Sequence, residues 1–243
     1  MSVDSPSVLV RVPQLAHWRV NLRPDKYEAE RLSLNDCFEV VERSSVRLRG
    51  WSYPRVSRER CEAGTNWIAS WADFLGHIEY WRLYQSTQFL HLFAIREASD
   101  TAWRERLEAV TKSHLFAHKI DWGAVPGFID IANFLYSMTE IFEFAARLAQ
   151  AGVYEGNLTI TVELRRIRGF VLTMDWDRGW FDYFAAAEDV LARSQTFRTD
   201  LLIAESAKYS LDAVVWFLQR FGWLKPSLEV LRRDQETFLS GVR

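Results

Sequence analysis

Cysteine is scarce in this chain, phosphate-binding glycine motifs are missing, and no apolar run is long. Each shortage excludes a class of protein. Cysteine occurs twice, as Cys37 and Cys61, and neither is in a CxxC pair. A disulfide framework or a thiolate metal cage needs more, so a hydrophobic core has to hold the fold. Glycines are scattered, with no GxGxxG after a strand-like run and no GxxxxGK(S/T). Those sites work by freeing backbone amides with glycine, so common nucleotide-binding folds are disfavoured and no cofactor is called for. The GxSxG and HExxH signatures are missing too.

The most apolar stretch, residues 122–138, is broken by Pro126 and Asp130. It falls short of the roughly 20 residues a membrane helix needs, so no membrane contact is expected. The amino terminus carries Asp4 and lacks the basic and apolar regions of a secretory signal. A cytoplasmic protein is the expectation. Net charge is also small, 30 basic against 32 acidic residues, so the chain as a whole is no polycation built for nucleic acid.

Aromatic residues and arginine are plentiful. Eleven tryptophans and sixteen phenylalanines supply a large core, and a chain of this mass buries about 70% of its surface. Of the 30 basic residues only 5 are lysine, which favours the planar, stacked contacts of guanidinium groups. All five histidines precede residue 119, so histidine chemistry belongs to the first half.

Periodicity predicts a mixed fold. Short strands are expected over 8–12 and 18–22. Ser33 is placed to cap a helix ending near residue 44. Residues 45–51 alternate, which puts Arg47 and Arg49 together on the open side of a strand. A loop covers 52–64, and strands follow over 66–74, 77–84 and 89–96, the last two as a hairpin. A helix over 100–118 lines up Trp103, Leu107, Val110, His114 and His118. Residues 121–127 are the clearest breaker.

The second half predicts a helix over 128–151 and a strand over 158–165 partnered by 170–176, with a turn at 177–179. Helices are expected over 184–193, 205–221 and 227–239, and 196–203 reads as strand or helix. The fold class is α+β, with small antiparallel sheets and aromatic-rich hairpins packed against several helices. The halves, 1–121 and 122–243, read as separate domains or as one continuous domain.

Several groups of residues carry chemistry. Six arginines between Arg43 and Arg60 face one acid, Glu59. Arg47, Arg49, Trp51, Tyr53, Arg55 and Arg58, joined by Arg82 and Tyr84 of the hairpin, form a candidate binding surface. Its first reading is a non-enzymatic module that binds a protein partner or a second copy of the chain. An alternative is nucleic acid, with the 43–60 arginines on phosphates. In the hairpin, Glu79 shares a face with His77 and Trp81, and His91 lies on the return strand. If that face lines a cavity, Glu79 and a histidine form an acid–base pair. A further alternative is a metal-assisted hydrolase at His114, His118 and Asp121, spaced as ligands on a helix. Cys61, close to Arg58 and Arg60, is a weaker candidate nucleophile.

Overall fold

The computed structural model describes residues 5–174 and 182–241. The first half runs α1 (Ser5–Arg11), β1 (His17–Pro24), α2 (Leu34–Ser44), β2 (Cys61–Ala63), β3 (Trp67–Phe74), β4 (His77–Tyr84), β5 (Phe89–Ala94), the one-turn α3 (Arg96–Ser99) and α4 (Thr101–Ser113). The second runs β6 (Phe128–Asp130), α5 (Ile131–Gln150), β7 (Asn157–Arg165), β8 (Val171–Thr173), β9 (Val190–Arg198), α6 (Thr199–Arg220) and α7 (Leu228–Ser240). Seven strands make one antiparallel sheet in the order β2-β3-β4-β5-β1-β7-β9, and β6 and β8 make a small parallel pair. β1 pairs with β5 on one side and β7 on the other, so strands from both halves of the sequence join one sheet. The fold is mixed α+β, with antiparallel strands, aromatic clusters and several helices.

Alternation explains which way the sheet faces. Trp18, Val20 and Leu22 of β1 are buried, and Arg23 between them and the strand end is exposed. Leu158, Ile160, Val162 and Leu164 of β7 turn the same way. This inner face packs with α2, α5 and α6 into the main core. On the outer face a second cluster joins Val8 and Val12 to Ala69, Ile78, Tyr80 and Ala94. α2 starts at the expected cap: Ser33 Oγ accepts from the Asp36 amide, and Asp36 closes a capping box.

Several sequence expectations are corrected. Residues 8–11 belong to α1, and its Val8 and the Val12 that follows its end, four apart, both pack on the sheet. Residues 45–51 form no strand. Val46 alone bridges to Tyr53, and Arg47 and Arg49 lie on the bend between them. The helix expected to reach residue 118 stops at Ser113, and residues 115–119 form a 3-10 turn. The helix expected from residue 128 starts at Ile131, because Asp130 caps it by accepting from the Ala132 and Asn133 amides.

β7 pairs with β1 and β9, not with 170–176. The part of that segment within the described residues supplies β8, which lies parallel to β6. The turn expected at 177–179 lies outside the described residues. No helix covers 184–193. Ala185 bridges instead to Val171, the Ala186 amide donates to the Phe170 carbonyl, and the end of the segment enters β9 on the ladder to β7. The ambiguous 196–203 segment divides at the junction of β9 and α6. Among the described residues, no helix is long and apolar enough to cross a membrane.

Candidate functional site

The β4–β5 hairpin places two histidines on one carboxylate. His77 and Glu79 are two apart on β4 and so share its inner face. His91 stands opposite Trp81 on β5, which makes it the diagonal neighbour of Glu79. His91 Nε2 lies 3.2 Å from Glu79 Oε2, and His77 Nε2 lies 3.1 Å from the same oxygen. The Arg55 amide donates to Glu79 Oε1 at 2.7 Å. The loop bearing Arg55 is anchored in turn, because Trp81 Nε1 donates to the Arg55 carbonyl at 2.8 Å.

Protonation follows from these contacts. Burial alone would raise the Glu79 carboxyl, but the His77 and His91 imidazoles outweigh it and pull it down to about 2. Burial lowers His91, against the pull of Glu79, so its ring is neutral at pH 7. An ionised carboxylate only accepts, so His91 Nε2 carries the proton and donates it. Nδ1 then accepts from the Tyr53 hydroxyl, 3.1 Å away. Burial first, then the Glu79 and Glu140 charges, push Tyr53 well above its usual range, so this phenol keeps its proton. The resulting chain is Tyr53 O–H to His91 to Glu79.

α5 brings a second polar group to the same place. Asn133, Ser137 and Glu140, spaced by four and three, form one seam on it. Arg49 reaches in from the loop. Its Nε donates to Glu140 Oε1 at 3.2 Å, its Nη2 to Glu140 Oε2 and to Ser137 Oγ, and its Nη1 to Asn133 Oδ1. Burial pushes the Glu140 carboxyl up, and the Arg49 fork opposes that push. Behind this seam Glu97 is almost fully buried and raised by that burial. Its Oε1 accepts from Asn133 Nδ2 and from the Asp130 amide, both at 3.2 Å, while its Oε2 has no hydrogen-bond partner among the described residues.

These groups surround a cleft of about 40 Å³, lined by Trp18, Arg49, Trp51, Tyr53, His77 and Glu79 together with Asn133 and Ser137. A smaller space of about 10 Å³ reaches Glu97 past the shared walls Trp18, Asn133 and Ser137. Trp18 stacks on Phe93 with centroids 5.7 Å apart, which stiffens the apolar wall. His77 Nε2 is a buried atom that makes no well-aligned hydrogen bond, its approach to Glu79 notwithstanding.

The sequence candidates are dispersed and regrouped. Glu79, His91, Tyr53, Trp51 and Arg49 meet at the cleft. Arg47 is exposed and apart from them. Arg55 lies over Phe74 at 4.4 Å, and Arg58 over Phe38 at 5.0 Å while donating to Glu42 at 2.5 Å. Arg49, Arg55 and Arg58 are thus each taken up by a different set of neighbours. Arg82 and Tyr84 lie on β4 beyond the cleft, on the outer face, where Arg82 Nη1 donates to Tyr84 OH at 3.3 Å.

His114 and His118 part company, because the helix that would align them ends at Ser113. His114 Nε2 contacts the Met174 carbonyl at 3.3 Å, His118 Nδ1 contacts the Leu115 carbonyl at 2.7 Å, and Asp121 accepts from the Gly123 amide. Among the described residues no group of three or more His, Cys, Asp or Glu is arranged to hold a metal ion. Burial raises the Cys61 thiol, and the nearby Arg58 only partly offsets it, so the thiol is not activated. Sequence reasoning missed Asn133, Ser137, Glu140 and Glu97. The 4-and-3 spacing of three polar residues inside an apolar helix was the available signal.

Fold and site together define an α+β protein with a buried carboxylate–imidazole cluster at the mouth of a small cleft. No protein family matches the chain, and comparisons with curated proteins and with solved structures find no match.

Proposed function

We propose that the cleft binds a small polar molecule and that His77 exchanges a proton with it. Glu79 is the positioning carboxylate, fixed by His91 and the Arg55 amide and too acidic to serve as the base itself. Histidine suits the task because one ring carries both a proton donor and a proton acceptor nitrogen. Arg49 acts as a strut, since four of its five N–H donors go to Glu140, Ser137 and Asn133. The observation that carries the reading is the buried, unaligned Nε2 of His77, 3.1 Å from an ionised carboxylate at a cleft wall. Titratable groups perturbed by burial and by a specific charge partner in a cleft are characteristic of functional sites.

The test is a panel of small amides, amines and carboxylates titrated against protein carrying labelled histidine and tryptophan. Binders should shift the His77 imidazole and the Trp51 indole together, and binding should take up or release a proton. His77→Gln should keep the binding and lose the proton linkage. A panel with no binder at the cleft, or linkage unchanged in His77→Gln, would overturn the reading.

A second reading, recognition of an acidic partner, has its own observation. Arg43 and Arg47 are exposed, while the ion pairs of this segment are made by Arg49 and Arg58. Exchanging Arg43 and Arg47 for Glu should abolish salt-dependent binding to heparin or duplex DNA. Equal behaviour of the native and double-variant proteins removes this reading.

A further inference from the structure

The outer face of the sheet carries a second concave site, across the sheet from the cleft. Leu90 and Leu92 of β5 form its floor. Arg82 and Tyr80 of β4 stand opposite them on one side, Leu92 is flanked by Arg19 of β1 on the other, and Leu9 of α1 closes one end. The groove has a volume of about 250 Å³.

Arg82 is set up to receive a ligand. Its guanidinium carbon lies 3.8 Å from the centroid of Trp67, a close cation–π contact. Nε and Nη2 donate to Tyr80 OH at 3.0 and 2.7 Å, and Nη1 donates to Tyr84 OH at 3.3 Å. One N–H on each of Nη1 and Nη2 is left over, so the group still has a donor for each oxygen of a carboxylate. Among the described residues, no carboxylate pairs with Arg82, whose hydrogen bonds go to the Tyr80 and Tyr84 hydroxyls; Tyr80 OH in turn donates to Glu62 at 3.4 Å. Across the groove Arg19 shares Glu163 with Arg165, at 2.6 and 2.7 Å, so two guanidinium groups draw on one acid. Positive charge is in excess over an apolar floor.

We propose that this groove binds a small monocarboxylate with an aliphatic or aryl tail. The carboxylate sits on the two remaining N–H groups of Arg82, and the tail lies along Leu90, Leu92 and Leu9. The volume falls just under the range of about 300–1,000 Å³ found for drug-sized ligands, which fits a small molecule rather than a folded partner. Contact with Trp67 and the two phenols holds the guanidinium beforehand, so binding loses little side-chain entropy.

Octanoate and its neutral counterpart octanol are the probes, followed by NMR of the full chain. Octanoate should shift the Trp67 indole and the Leu90 and Leu92 methyls saturably and leave the Trp51 indole of the cleft unchanged. Octanol should bind at least about tenfold more weakly, and Arg82→Lys, which keeps the charge and loses the fork, should weaken octanoate by about tenfold or more. Leu92→Glu, which places a carboxylate in the groove, should abolish binding. The proposal is overturned if octanol and octanoate bind alike, if no saturable shift occurs, or if folded Arg82→Lys binds like the native chain. Should Arg82→Lys fail to fold, octanoate binding by Leu92→Glu overturns it instead. A peptide ending in a free leucine carboxylate, compared with its amide, is the last arm. A peptide that binds more tightly than octanoate moves the occupant to a chain terminus and overturns the small-molecule assignment.

Discussion

The β4–β5 hairpin and the carboxyl end of α4 each carry two histidines, and only the hairpin brings its pair to a common carboxylate. In the hairpin the backbone ladder settles the geometry. Glu79 and His77 share a face because strand side chains alternate, and His91 meets Glu79 because the register sets it opposite Trp81. At α4 the pairing of His114 with His118 depends on one more helical turn. That turn is lost when the chain passes from α-helix to 3-10 geometry, and each imidazole turns to a carbonyl nearby. A ladder fixed by several neighbouring strands is harder to break than the last turn of a half-exposed helix, where frayed ends cost little.

That contrast is open to breaking by mutation. The largest effect is expected at Glu79. Glu79→Ala leaves a buried imidazole N–H and the Arg55 amide without an acceptor and should cost about 3–5 kcal/mol of unfolding free energy, read by urea denaturation. A cost under about 0.5 kcal/mol would mean the cluster is not coupled to the fold. His91→Ala comes next, at about 2–4 kcal/mol, since it opens a cavity among Phe89, Phe93 and Tyr53 as well as losing two hydrogen bonds. Tyr53→Phe should cost about 1–2 kcal/mol, because it strips the donor from His91 Nδ1 and leaves the ring packing. His118→Ala should change stability by less than about 0.5 kcal/mol, and added zinc should leave the melting temperature where it was. A rise with zinc would mean that His114 and His118 do converge.

Acid sharpens the same comparison. Glu79 is held at about 2, below its ordinary 4.5, so its charge stabilises the fold above pH 4.5 and that contribution fades as pH falls toward 2. The full amount is about 3 kcal/mol. His91 is lowered from its ordinary 6.5, so its neutral form also favours the fold above pH 6.5 and its contribution fades below. Glu97 is raised from 4.5 and acts the other way, favouring the fold below pH 4.5 and losing that favour as pH rises. Unfolding free energy measured from pH 7 downward should therefore fall, and Glu79→Gln should flatten the portion below pH 4.5. A slope there unchanged by Glu79→Gln would show that the carboxylate is not held ionised by its histidines.

Much of the local structure was legible, for reasons visible in particular residues. Ser33 announced the start of α2, the alternation from Leu158 to Arg165 announced β7, and the hairpin face of His77, Glu79 and Trp81 was read correctly. The failures came where two patterns coincide. Val8 and Val12 fit a strand by composition and a helix by spacing. Val46 and Leu48 alternate with Arg47 and Arg49, yet with only Tyr53 as a bridge partner no ladder forms to extend the segment. Glu140 was hidden because it falls inside a helix that reads as apolar, and only its arrangement with Ser137 and Asn133 marks it as the anchor for Arg49.

Residue order alone determined the elements whose signals are local: a capping box, an alternating strand, a glycine or proline break. These depend on a few neighbouring side chains and their backbone, and no distant contact is needed to form them. The tertiary structure decided which charges meet. Arg49 left the surface because Glu140, 91 residues away, lay within its reach, and Arg82 on the outer face found the Tyr80 and Tyr84 hydroxyls as its hydrogen-bond partners. Burial makes an unpaired charge costly, so the partner selects the direction of a long side chain, and that partner is known only once the chain has folded.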